Sequence, residues 1–171
     1  MTTLRTSSNA GPAHGRTRAV LAAAAAGACA LAAAVAAPAE ARINPGAGVA
    51  GVALGDTQAQ VRAALGKPEA GSNPLNYRYI RSRGLGIYFI AGRVFEITVV
   101  RGPQATPKGI RVGSPVVALR RAHPKARCRP AVTGGRGALE CALRGRHQGR
   151  TSETLFVTRA GRVATIAVHF V

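Results

Sequence analysis

The sequence predicts an α+β fold: two helix-plus-antiparallel-strand repeats forming one sheet with short helices packed on one face. Three observations predict it. A helix-start motif occurs twice, at an offset of 58. A β-hairpin motif occurs twice, at an offset of 69. Neither half alone covers enough core, so the two are expected to pack as one domain.

The first copy of the helix start runs Gly51-Val-Ala-Leu-Gly55-Asp56-Thr57 and continues through Val61-Arg62 to Leu65-Gly66-Lys67-Pro68. The second runs Gly109-Ile-Arg-Val-Gly113-Ser114-Pro115 and continues through Leu119-Arg120 to His123-Pro124. Asp56 and Ser114 are good N-cap residues, and Thr57 with Gln60 offers a capping box one residue later. Pro115 suits the first position of a helix. Val61, Ala64 and Leu65 share one helical face, as do Val116 and Leu119. Gly66 and Pro68 stop the first helix and Pro124 the second.

A strand is expected over Leu75 to Ile80, behind the turn-like Gly71-Ser72-Asn73-Pro74. The first hairpin spans Tyr88 to Val99 around Gly92, and the second spans Phe156 to Val168 around Gly161. Phe95, Ile97 and Val99 form one expected inward face, and Ala164, Ile166 and Val168 the other. The change of offset from 58 to 69 puts an insertion of about 11 residues in the second copy. Leu139, Cys141 and Leu143 alternate there as a strand.

The N-terminus has the parts of an export signal. Met1 to Arg18 carries Arg5, Arg16 and Arg18 and no acid, an uncharged alanine-rich run follows from Ala19 to Ala37, and Pro38-Ala39-Glu40-Ala41 gives a small-x-small site. Residues 1–41 are therefore expected to be a signal peptide, cleaved between Ala41 and Arg42. Residues 42–48 read as a linker, and 49–171 as a single domain with repeats at 49–101 and 107–171. A second reading makes Cys29 a lipid attachment site and the protein membrane-anchored. An uncleaved anchor needs a more apolar run than alanine supplies. The expected location is extracellular, with no transmembrane span in the mature form.

Two cysteines remain after cleavage, Cys128 and Cys141. In an oxidising compartment they are expected to pair and to brace the inserted connection. The loop closed by this bridge is about 14 residues, worth roughly 3 kcal/mol in the chain-entropy picture.

The full chain holds 24 Lys plus Arg and 6 Asp plus Glu, a formal net charge of +18. Residues 1–41 hold three arginines and one glutamate, so 21 and 5 remain, for about +16. One reading is an anionic partner such as an envelope polymer. The other is compositional, since only Lys67, Lys108 and Lys125 are lysines and the arginines are spread along the chain.

Catalytic chemistry finds little footing. Asp56 has a simpler role as a cap, and Glu69, Glu96, Glu140 and Glu153 show no acid–base spacing. His123, His147 and His169 lack metal-ligand spacing, and His169 lies on the strand face opposite Ile166. No catalytic residue, metal site or cofactor is expected, and the protein is read as a non-enzyme. The one stretch that interleaves aromatics with cations is Tyr77-Arg78-Tyr79-Ile80-Arg81-Ser82-Arg83. Tyr77, Arg78, Tyr79, Arg81 and Tyr88 are the candidate binding face, because tyrosine–arginine surfaces supply interaction hot spots. The alternative is an edge strand kept soluble by its arginines.

The motif Gly-apolar-x-apolar-Gly-x-Thr, a short helix with Val-Arg, then Leu-Gly-x-Pro (Gly51 to Pro68, more loosely Gly109 to Pro124), resembles the repeat of BamE/SmpA-like modules and the β-lactamase inhibitory protein fold. With the two hairpins it covers most of the mature segment. The resemblance implies helices on an antiparallel sheet, in an exported or envelope-anchored protein that binds other proteins. No target-contacting residue carries over from it. The expected function is a secreted, monomeric binding module presenting a sheet face to an unidentified protein partner. The alternatives are a basic protein that binds an anionic envelope polymer and an envelope-assembly module. No specific nucleic acid is expected.

Overall fold

The structure, a computed structural model, describes residues 42–132 and 135–171. The signal segment, its cleavage residue Ala41 and Cys29 lie outside the described residues.

Three two-residue strands open the fold: β1 (Ile43–Asn44), β2 (Gly48–Val49) and β3 (Val52–Ala53). They pair in the order β1-β2-β3 as a small antiparallel sheet. The stretch 42–48, read as a linker, thus supplies β1 and the start of β2, and Ile43 is fully buried. Helix α1 (Gln58–Leu65) follows, then β4 (Asn76–Tyr79), β5 (Leu85–Ile90) and β6 (Arg93–Val99). Helix α2 (Val116–Ala122) leads to β7 (Arg127–Pro130), β8 (Leu139–His147), β9 (Arg150–Arg159) and β10 (Arg162–Phe170). These seven strands form one antiparallel sheet in the order β4-β5-β6-β10-β9-β8-β7.

The predicted fold class needs correction. The fold is mostly strand, with two short helices, and it has two sheets rather than one sheet built from two helix-plus-strand repeats. The physical cause is length. Helical periodicity lasts only seven or eight residues in each half, whereas β8, β9 and β10 alternate over nine or ten. Before α1, close turns fold the chain into strands too short to join the large sheet.

Local chemistry explains the elements. Thr57, not Asp56, caps α1: its Oγ1 accepts from Gln60 N at 3.3 Å while Gln60 Oε1 accepts from Thr57 N at 2.8 Å. Asp56 instead closes the preceding turn, accepting from Ala53 N at 2.8 Å. Ser114 does the same before α2, accepting from Arg111 N at 3.0 Å, and Pro115 takes the cap position without a side-chain bond. Both hairpins turn on an Ala-Gly pair with positive φ, Ala91-Gly92 and Ala160-Gly161, the geometry that matches strand twist.

The expected inward faces are shifted at one end of each second strand. Register slips at Phe95 and Ala164, each an extra residue opposite its partner strand. Val94 and Val163 therefore take the buried positions, while Ile97, Val99, Ile166 and Val168 point inward as expected.

One face of the large sheet packs with α1, α2 and the small sheet around a common core that includes Val61, Leu65, Leu119, Ile87, Ile97, Phe156 and Ile166. The small sheet approaches β9 closely. Gly46 N donates to Thr154 Oγ1 at 2.7 Å, and a Cβ at Gly46 would sit 3.0 Å from Ser152 Oγ. Such contact requires a residue without a side chain, and it accounts for small hydroxyl residues on the inner face of β9. Cys128 and Cys141 stand directly opposite each other on β7 and β8 and are bonded, with Cα atoms 3.9 Å apart.

Candidate functional site

The predicted binding face does not assemble as a unit. Strand alternation divides it, because Tyr77 and Tyr79 share one parity on β4 and Arg78 the other. Tyr77 and Tyr79 are buried, at 7% and 1% exposure. Tyr77 packs edge-on against Phe89 at 4.8 Å between ring centres. Its hydroxyl accepts from Arg62 Nη1 and donates to Gln58 Oε1. Tyr79 donates to the Gly66 carbonyl at 2.9 Å, and burial first, then neighbouring Tyr77, pushes its phenol pKa up. These tyrosines fasten α1 to the sheet. Arg81 lies in the turn after β4, where Arg81 N and Ser82 N both donate to Glu69 Oε1 at 2.8 Å. The Ser82 N–H is the largest cause holding the Glu69 carboxyl below its usual range. Only Arg78 and Tyr88 reach the outer face of the sheet, and both are exposed.

That outer face is the more informative surface. Its apolar members Tyr88, Ile90, Leu155, Val157 and Ala167 stand apart from the core cluster. Pairing registers place a polar row straight across six strands: Asn76 on β4, Tyr88 on β5, Glu96 on β6, His169 on β10, Glu153 on β9 and Arg144 on β8. Directly opposed residues in an antiparallel sheet lie about 4.5–5.5 Å apart at Cβ, so Glu96 and Glu153 flank His169. Glu96 Oε1 accepts from Thr98 Oγ1 at 2.9 Å, and Glu153 pairs with Arg144 at 3.7 Å. Asn76 Oδ1 and His169 Nδ1 are buried in this row without a hydrogen-bond partner. Buried polar atoms seldom go unpartnered. The adjacent row runs Gly86, Thr98, Ala167, Leu155 and Ala142, a low strip of mostly small side chains.

The polar row ends in a cleft of about 600 Å³ bordered by Lys125, Arg127, Arg129, Arg144, Glu153 and His169. Arg129 donates through Nε and Nη2 to Glu140 Oε2, both at 3.2 Å. Sequence reasoning assigned His169 to the face opposite Ile166, and that is where it lies. It named Glu96 and Glu153 only as acids without a partner spacing, and Lys125, Arg127, Arg129 and Arg144 only as members of cation-dense stretches, and joined none of them into a site. Their grouping depends on the pairing of β6 with β10, strands far apart in the chain. The alternation of each strand gives parity but no register.

Among the described residues no group of three or more His, Cys, Asp or Glu side chains is placed to hold a metal ion. No described helix is long and apolar enough to cross a membrane. Comparison with known proteins finds no matching family model, no matching curated protein and no matching solved structure.

Proposed function

We propose that this protein is a secreted, non-enzymatic binding module that presents the outer face of its seven-stranded sheet to a protein partner. The observation that carries the reading is that face: apolar side chains outside the core cluster beside a polar row with two unpartnered atoms. The Cys128–Cys141 disulfide supports an oxidising compartment. The motif resemblance to BamE/SmpA-like modules points to the same class of function.

Site-specific photo-crosslinking tests it. A photoreactive side chain at Tyr88 or Thr98 is expected to capture one defined protein from culture fluid or envelope extract. The same group at Ala59 of α1 or Arg121 of α2, both exposed, is expected to capture nothing defined. Equal labelling from both sets, or none from the sheet, rejects the reading.

A second reading, a basic protein that binds an anionic envelope polymer, is favoured by one observation. Of the 21 Lys and Arg residues in 42–171, all but Arg83 are exposed, and they spread over helices, loops and strands. It requires binding that collapses between low and moderate salt.

A further inference from the structure

The cleft at the β7–β8–β9–β10 end carries a more specific assignment, which rests on the outer face being the partner surface. We propose that this cleft binds an extended peptide segment of the partner in which acidic side chains neighbour an apolar one.

The charges come first. Four cations border the cleft against one carboxylate, Glu153. Arg144 is engaged with Glu153 at 3.7 Å, and Arg129 with nearby Glu140 at 3.2 Å. These two pairs already position guanidinium groups for carboxylates. Lys125 and Arg127 make no ion pair or side-chain hydrogen bond among the described residues. Both are exposed, Lys125 in the turn before β7 and Arg127 at its first position, and both can accept a new anion.

The remaining walls select among anions. Ala142, Val171 and half-buried Cys128 contribute apolar surface. Ligand sites of this size combine apolar walls with a few placed polar groups. A heavily hydrated phosphate polymer gains nothing from such walls. A peptide can set a leucine or valine on them while its carboxylates reach Lys125 and Arg127. Arginine forks also fit planar carboxylates in bidentate fashion.

The cleft has a second requirement. Arg127 and Arg129 belong to β7, the edge strand, whose sheet contacts are made to β8. The disulfide between these strands fixes the two arginines against Arg144. The site is therefore held in shape covalently at its outermost wall.

The test uses the purified protein and fluorescent synthetic peptides with two alternate glutamates flanking a leucine, compared with versions in which glutamine replaces glutamate. The glutamate peptides are expected to bind, and the glutamine versions to bind about tenfold more weakly. Arg127→Ala and Lys125→Ala are each expected to weaken binding severalfold with the melting temperature unchanged. Arg120→Ala, on α2, is expected to leave it unchanged. Equal binding of the two peptide sets overturns the proposal, as does an Arg120→Ala loss matching that of Arg127→Ala. Absence of peptide binding also overturns it. Inorganic polyphosphate bound through Arg127 without any peptide binding reassigns the cleft to polymers. Crosslinking at Tyr88 and Thr98 lies outside the cleft, so the wider reading stands or falls separately.

Discussion

The α1–β4–β5–β6 region and the α2–β7–β8–β9–β10 region meet the same local problem in the same way and then diverge. Ahead of α1, Gly55 N donates to the Val94 carbonyl and Val94 N to the Asp56 carbonyl, both at 2.8 Å. Ahead of α2, Gly113 N donates to Val163 and Val163 N to Ser114, at 2.7 and 2.9 Å. Each helix is thereby pinned to the last strand of its own hairpin. Beyond that point the first region ties its helix to the sheet with the hydroxyls of Tyr77 and Tyr79. The second region has no such tyrosine. There His123 closes α2, stacks on Phe156 at 5.6 Å and lies 3.4 Å from Thr106 Oγ1. The second region also has four strands to the first region's three, and a disulfide. The first region holds its helix through tyrosine hydroxyls, with Tyr77 also packed on Phe89, and the second through histidine stacking, with a covalent bridge added between β7 and β8. The candidate cleft lies in the bridged region.

Measurements in both regions would break or sharpen this contrast. The largest effect is expected from Phe156→Ala, which empties a fully buried site and should cost about 3–5 kcal/mol in chemical denaturation. A cost near that of a surface change would remove aromatic packing as the anchor of the second region. Next comes the disulfide. Reduction, or joint replacement of Cys128 and Cys141 by alanine, should lower stability by roughly 3 kcal/mol. Hydrogen exchange should rise first over Arg127–Pro130, and uniform loosening of both regions would contradict the division.

Smaller effects are expected from single hydrogen bonds and from one titrating group. Tyr79→Phe keeps the ring and deletes the bond to Gly66, for about 1 kcal/mol. Thr57→Ala removes the capping box for a similar amount, about 1 kcal/mol. Ser114→Ala should cost less, because α2 has no side-chain cap to lose. The smallest effect is a pH dependence. Burial first, and Lys108 second, holds the His123 pKa below 6.5. The unfolded chain therefore takes up the proton more readily. Stability is complete above the ordinary histidine range and declines as pH falls through 6.5 towards the lower folded value. Unfolding curves at stepped pH should show this slope, and His123→Gln should flatten it.

The local features were legible where a residue type dictates its own geometry. The turns at Gly92 and Gly161, the capping residues before α1 and the cysteine pair all stand out from the chain. Parity was legible too, and applied to β4 it separates Tyr77 and Tyr79 from Arg78. The candidate face drawn through all of them ignored that alternation. The small sheet escaped because its strands have two residues each, too few for any period. The single-sheet architecture failed for the same reason, and because helix signals in each half outweighed the longer strand signals. Neither the polar row nor the cleft was legible, since both are products of long-range register.

The β6–β10 seam also constrains the order in which the fold can be completed. Val99 pairs with Ile166 and Glu96 with His169, so within the large sheet the two regions join through β10, which follows every other described strand in the chain. Until β10 arrives, β6 and β9 each present an open edge, and unpaired edges invite association with other chains. Joining distant segments is also the slow kind of closure. Residues 162–170 thus act as a clasp in time as well as in space, and truncation before Arg162 should yield aggregation rather than a smaller folded domain.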